Sequence, residues 1–354
     1  MSAQLTMPAL VLHAVGDLRY EQVPIPTLKP GEALLRVTAA GVCGSDIPRI
    51  YEHGTYRFPL IPGHELAGTV ERVAEPGAHH PGDRVTVKPL IPCRHCAYCE
   101  IGAFGQCTQY DYLGSRRDGG FAALIAVPQA NLVLVPDGVL LLDAALTEPA
   151  AVALHALRQG GIQPGDVVAI LGTWPIGMLL AQWARLWGAG RVLLLDIDPL
   201  KLQVADQLGL GETFNSRTGD PITWVQEHSH GGRGADLVVE AAGASITFGQ
   251  ALHMTRPLGT VVLMGNPAGN VTLPQATVSQ ILRKQLTIRG TWNSQFSELP
   301  VDEWQVVLSM AAAGRIRLGP MVSHRFPLSQ GIEAIEMMRD RREFYNRVVL
   351  VNEP

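Results

Sequence analysis

"VVAILGTWPIG", residues 167–177, is the stretch on which the fold reading turns. Five apolar residues lead into a glycine turn and then into PIGMLLAQWARLWG, whose apolar positions recur with helical spacing. A buried strand, a tight turn and a helix open a βαβ unit, and a glycine turn there cradles a pyrophosphate at the helix N-terminus. The spacing is G-x-G-x-x-G at Gly172 and Gly177, but Trp174 stands where the middle glycine belongs. That glycine normally lets the backbone approach the phosphates. A Cβ there crowds them, and a bulky residue takes positive φ only under strain. Pro175 biases Trp174 toward extended backbone. Three outcomes stay open: the indole swings away over the adenosine side, the cofactor binds displaced and weakly, or the site is lost.

The surroundings support a nucleotide fold. RVLLLD (191–196) reads as the next strand, and Asp196 ends it 19 residues after Gly177. A carboxylate there accepts hydrogen bonds from ribose hydroxyls and repels a 2′-phosphate, which favours NAD over NADP. Gly172 makes the first turn and Gly177 the close helix–sheet contact. Thr173, Trp174, Pro175 and Ile176 complete the loop, and Gly265 and Asn266, ending GTVVLMGN, are counted with the cofactor site. PLKLQVADQLG reads as a helix, and DLVVEAAG, GTVVLMGN and QLTIRGTW as further buried strands. Strands alternating with helices imply a parallel, doubly wound sheet.

Before residue 150 the rhythm differs. EALLRVTAAGVC, AGTVERV, DRVTVKPL and FAALIAV read as strands of a mostly antiparallel domain. EPAAVALHALRQGG looks helical, and after Trp292 come two amphipathic helices and a last strand, RVVLVN. The expected division is a catalytic domain over 1–155, a nucleotide domain over 156–291 and a return to the first domain over 292–354. The fold class is α/β.

The chain has 354 residues, a net charge of −4 and no basic tract, so nothing points to nucleic acid or an anionic membrane. No apolar run reaches the ~20 residues of a membrane span. The start carries no basic segment and no A-x-A cleavage site, so a cytoplasmic protein is expected.

Four of the five cysteines fall in CRHCAYCEIGAFGQC: Cys93, Cys96, Cys99 and Cys107. Four thiolates close a tetrahedral shell around one Zn²⁺ and leave no position for water, which makes a structural site. His95, inside the loop, is expected as a bystander. The fifth, Cys43, lies in AAGVCGSDI, and GHE follows at 63–65. One thiolate, one imidazole and one carboxylate suit a second, catalytic Zn²⁺ with an open position.

GVCGSD, GHELAG, GDRV, the four-cysteine loop, DGGFA, TEPAAVALHA and the glycine loop occur together in one order. In this the chain resembles the zinc-dependent medium-chain alcohol and polyol dehydrogenases, with a GroES-like β domain and a Rossmann domain, over nearly its whole length. CGSDIPRI, LGSRRDGGFA, ILRKQLTIRGTWN and HRFPL resemble the galactitol-1-phosphate 5-dehydrogenase branch, near sorbitol dehydrogenase. The resemblance implies a catalytic zinc on Cys43, His64 and a glutamate. Two compete: Glu148 is favoured as the resting ligand, with Glu65 as a neighbouring or exchanging carboxylate. The resemblance further implies that Asp46 fixes the His64 tautomer, that Ser45 starts the proton relay and that Lys201 contacts the ribose. Pro48 replaces the relay histidine of many relatives, so the proton is expected to leave through water or another group. Arg49, Arg116, Arg117, Arg283 and Lys284 border the cleft in that family and suit a phosphate; Trp292 and Asn293 are candidates to line it. The implied activity is NAD-dependent oxidation of a secondary hydroxyl of a polyol or sugar-alcohol phosphate, by a homodimer or homotetramer. The alternatives are an unphosphorylated polyol or threonine-type substrate, or a zinc-stabilised protein that has lost turnover through Trp174.

Overall fold

The computed structural model describes residues 5–352. The chain forms two compact units: one runs to Glu148 and resumes at Gln295, and the other spans Pro149–Ser294. The boundary at Glu148/Pro149 lies in the first turn of the helix Thr147–Gly160, and the expected boundary after residue 155 lies further along the same helix.

The first unit begins with a hairpin, β1 (Thr6–Ala14) and β2 (Asp17–Pro24), turned by Gly16 at φ 80°. Then come β3 (Glu32–Val42), the single turn α1 (Asp46–Pro48), β4 (Glu65–Val73), β5 (Arg84–Val87) and β6 (Leu90–Ile91). The turn α2 (Ala97–Glu100), β7 (Asp111–Tyr112), β8 (Leu124–Pro128), β9 (Leu132–Leu134) and the turn α3 (Leu141–Ala144) follow, and α4 (Thr147–Gly160) leads out.

The second unit alternates as its opening stretch requires. β10 (Val167–Leu171), α5 (Pro175–Leu186), β11 (Arg191–Asp196), α6 (Pro199–Gln207) and β12 (Glu212–Asn215) make one half. The other half is α7 (Pro221–Glu227), β13 (Ala235–Glu240), α8 (Ser245–Met254), β14 (Thr255–Leu263), α9 (Gln275–Lys284) and β15 (Thr287–Gly290). The six strands are all parallel in the order β12-β11-β10-β13-β14-β15, the doubly wound order with its switch point between β10 and β13. Every residue of β10 is buried, as a central parallel strand covered on both faces must be. The core joins Val167, Ala169 and Leu171 to Leu193, Leu195, Val238 and Val261. Sequence pattern missed β12, a short and half-exposed ETFN, and the helices α7, α8 and α9.

The chain then returns through α10 (Glu303–Ala312), β16 (Val322–Pro327), α11 (Gly331–Asp340) and β17 (Arg347–Val351). The first unit's main sheet runs β16-β17-β3-β4-β5-β9, with β8 also paired to β3. It is antiparallel except for β16 with β17. The return segment is tied in by Lys88 Nζ, 2.7 Å from Asp302 Oδ2, and Asp302 also caps α10 by accepting from Trp304 N. Among the described residues no helix is long and apolar enough to cross a membrane.

Candidate functional site

β3 and β4 set the first group. Their register pairs Gly41 with Glu65, and a Cβ at Gly41 would overlap Glu65 Oε2, so the glycine leaves room for that carboxylate. Just before it, Gly63 takes φ 94° over the ring of Phe121. Gly119 N and Gly120 N donate to Ile61 O and Gly63 O at 2.7 and 2.9 Å. The DGGFA segment therefore pins the turn that presents His64 and Glu65. Cys43 follows the end of β3, and its N–H donates to Asp46 Oδ2 at 3.0 Å.

The result is a thiol, an imidazole and a carboxylate whose ligand atoms lie within 4.8 Å of one another: Cys43, His64 and Glu65. Glu65 Oε1 is buried and without a hydrogen-bond partner, while His64 turns its Nδ1 toward Asp46. An orphaned buried acceptor is costly, and a set of one thiol, one imidazole and one carboxylate fits Zn²⁺. Glu148, favoured from sequence as the resting ligand, is not in that close group. It is buried nearby, and burial together with the charge of Glu65 pushes its carboxyl up to about 7. Glu65 is the carboxylate that the backbone register places against Cys43 and His64.

Asp46 is wholly buried. Its Oδ1 lies 2.6 Å from Arg49 and 3.4 Å from His64 Nδ1, an ion-pair separation without a hydrogen bond. Burial opposes its charge, yet His64, Arg49 and the Cys43 N–H hold its carboxyl below the usual range. Burial likewise opposes an imidazolium, but Asp46 and Cys43 outweigh it and raise His64 well above an ordinary histidine. Ser45 is exposed beside them.

Two participants escaped the sequence. Arg347, in β17, is 5% exposed, donates to Glu65 Oε2 and reaches Val42 O at 3.4 Å. It sits 282 residues from its partner, beyond any motif. Tyr112, in β7, stands with its ring centroid 5.8 Å from that of His64. Burial and the neighbouring Glu148 and Cys43 charges raise its phenol well above its usual value.

The four-cysteine loop closes on itself. Cys93, Cys96, Cys99 and Cys107 carry free thiols whose sulfurs all lie within 4.8 Å. Cys93–Cys99 and Cys96–Cys107 sulfurs are 3.9 and 4.0 Å apart. Thiolates around a tetrahedral zinc at about 2.3 Å stand about 3.8 Å apart, so the loop fits a zinc. Backbone N–H groups of Thr108 and Cys99 pull the Cys96 thiol down to about 5, while burial pushes Cys99 up to about 12. His95 is exposed and bonded to Cys93 O and Gln109, outside the sulfur set.

In the second unit the glycine turn is built as its spacing requires. Gly172 takes φ 99°, and a Cβ at Gly177 would overlap Gly172 O. Trp174 caps α5 at φ −69° and ψ 174°, with Pro175 at the first helical position. The expected positive-φ strain is therefore absent: the extended backbone that Pro175 favours carries the indole without it. The ring swings toward the β11 end, where Lys201 Nζ lies 3.4 Å from its centroid. Lys201 also stands 3.7 Å from Asp196 and 3.8 Å from Asp198. Asp196 accepts from Thr173 N (2.7 Å), Ile197 N (2.8 Å) and Asp198 N (3.0 Å), so its carboxylate braces the turn. Thr173 is buried, its Oγ1 without a partner, and Ile176 is half-buried. Gly265 N bonds Glu240 O at 2.8 Å, and a Cβ there would overlap Gly243 N; Asn266 beside it is exposed.

The candidate substrate residues are dispersed. Arg49 is paired with Asp46, and Arg117 with Glu32 at 2.8 Å. Arg116 is sandwiched 4.3 Å from the rings of both Tyr56 and Tyr110, with Nε buried and unbonded. The other four belong to the second unit. Lys284 donates to Leu252 O, His253 O and Thr255 O and so binds the C-terminal end of α8. Arg283 is exposed and bonded to Ser279. Trp292 is 57% exposed, and Asn293 takes φ 54° with Nδ2 buried and unbonded.

Residues 29–137 match the alcohol dehydrogenase GroES-like domain, and residues 175–313 the zinc-binding dehydrogenase domain. Galactitol 1-phosphate 5-dehydrogenase of Escherichia coli K12 is 34% identical over 332 residues, covering 93% of this chain and 95% of that one. Sorbitol dehydrogenase of Mus musculus is 32% identical over 337 residues, covering 93% and 91%. The crystal structure of galactitol-1-phosphate dehydrogenase from Escherichia coli superimposes with a TM-score of 0.92 at 33% identity, covering 98% of this chain and 100% of that one.

Proposed function

The chain belongs to the zinc-dependent medium-chain alcohol and polyol dehydrogenases, and from that premise we propose that it transfers a hydride from a secondary hydroxyl of a polyol or sugar-alcohol phosphate to NAD. The observation that carries the reading is the close Cys43–His64–Glu65 group, with His64 and Glu65 buried and Cys43 half-buried, in the same unit as a separate four-thiol site. Cys43, His64 and Glu65 would hold the catalytic zinc, Glu148 would serve as an exchanging carboxylate, and the four cysteines would hold the structural one. Zinc in such an open site acts as a Lewis acid that lowers the pKa of a substrate hydroxyl.

The chain's own groups do the rest. Arg347 compensates the buried charge of Glu65 and holds its Oε2, leaving Oε1 to the metal position. Asp46 supplies negative charge to the Nδ1 side of His64. Ser45, exposed beside Cys43, takes the hydroxyl proton and passes it to water, since Pro48 offers no further base. Asp196 and Lys201 flank the ribose side of the nucleotide loop, and the nicotinamide chemistry is the cofactor's. The homodimer or homotetramer belongs to the same proposal.

A phosphorylated substrate is favoured by Arg116. Its guanidinium meets Tyr110, Tyr110 lies edge-on to Tyr112 at 6.4 Å, and Tyr112 meets His64, so a cation stands along one aromatic row from the metal ligands. An unphosphorylated polyol is favoured by Arg49, Arg117 and Lys284, whose charges are already engaged. The test is NAD⁺ reduction across polyols with and without a terminal phosphate. The reading expects the highest kcat/KM for a phosphorylated member. Equal or better turnover of the free polyols transfers the assignment to the second reading, and no turnover of any polyol removes both.

A further inference from the structure

We propose that Trp174 selects the cofactor: its indole, seated against Lys201, withholds that ammonium from a 2′-phosphate and so tilts the nucleotide site toward NAD and away from NADP. The inference deepens the reading of residues 171–177 as a dinucleotide loop and rests on it.

The argument begins with the backbone. At φ −69° and ψ 174°, Trp174 needs no left-handed conformation, and its side chain leaves the loop for the end of β11. This is the end at which a dinucleotide fold recognises the adenosine ribose. There the ring face meets Lys201 Nζ at 3.4 Å from its centroid, well inside the ~6 Å reach of a cation–π contact. Asp196 and Asp198 stand on the same ammonium at 3.7 and 3.8 Å, and Lys201 is only 7% exposed. Two carboxylates and a π face thus surround one cation. A lysine so compensated offers little to a phosphate dianion, whereas a lysine on a free flexible stem is a strong point charge for one. Asp196 is itself fixed by three backbone N–H groups, so it cannot turn aside to admit the extra anion.

A glycine at this position would give the backbone the same course and no ring. Lys201 would then keep its carboxylates but lose the face that covers it. The indole is therefore more than a tolerated replacement: it adds a term to nucleotide choice that the aspartate alone does not supply.

Dissociation constants for NADH and NADPH, measured by isothermal titration on the zinc-loaded full chain, test this. The wild type is expected to prefer NADH. Trp174→Gly and Trp174→Leu should each shrink the NADH-over-NADPH preference by about tenfold, while Trp174→Phe, which keeps a ring, shrinks it less. In a Lys201→Met background the Trp174→Gly change should move the ratio by no more than about twofold, because the two residues act as one unit. An unchanged ratio in the glycine and leucine variants overturns the inference, as does an equal shift with and without Lys201. A wild type that binds neither nucleotide at millimolar concentration overturns the dinucleotide reading as well, and that result is distinct from binding without a change of preference.

Discussion

Glu65 is fully buried, and a carboxylate in that position needs a compensating cation. Arg347 supplies one, and the pair also joins β17 to the turn that carries His64. Removing one partner of a buried ion pair leaves the other charge unpaired, at about 3–5 kcal/mol. Arg347→Met should therefore lower the urea midpoint by an amount in that range, and Glu65→Gln should recover part of the loss in the same background. A loss under about 1 kcal/mol would show that the pair is exposed to water in solution. At this scale local motifs gave Cys43, His64 and Glu65, because a ligand set at short spacing leaves a visible pattern. The family resemblance ranked Glu148 above Glu65, and the β3–β4 register, with Gly41 opposite Glu65, adds that Glu65 is the carboxylate in the close group with the thiol. Trp174 shows the same limit. The neighbouring proline correctly implied extended backbone, while the inherited expectation of positive φ at a middle glycine did not apply.

The element that decides the fold is the β10–α5 turn. Within a helix, glycine to alanine ordinarily stabilises by up to about 1 kcal/mol. At Gly177 the added Cβ would overlap Gly172 O, so the sign should reverse. Gly177→Ala is expected to destabilise by about 1–3 kcal/mol, as overpacking does, and chemical denaturation reads it directly. A stabilised variant would mean that α5 does not approach the strand turn so closely. Strongly periodic elements were legible: β10, α5, β11 and α6 follow the written pattern. β12 was not, because its four residues hold a single apolar side chain, Phe214, and so carry no alternation, and its place at the sheet edge comes from pairing with β11. Helix α9 was hidden for a related reason. Only Thr277 in it is buried, its apolar Val278 and Leu282 stay 44% and 74% exposed, and Lys284 reads as a free cation when it in fact binds three carbonyls of and just beyond α8.

For the whole molecule, two thiol-bearing sites of different design lie in one unit and a six-stranded nucleotide-type sheet makes up the other. That division was visible in the change from alternating to βα rhythm near residue 150, because each rhythm belongs to a different layer architecture. The strand order β16-β17-β3 was not visible, since long-range strand order leaves no local signature. The account holds that the open group does the chemistry and the four-cysteine loop does not. The most direct measurement is zinc content and NAD⁺ reduction on the same preparation of Cys43→Ala beside the wild type, with a sugar-alcohol phosphate as substrate. The account predicts that the variant keeps the zinc of the four-cysteine loop, loses the other and makes no NADH. A variant that loses both metals, or one that still turns over at the wild-type rate, would contradict it.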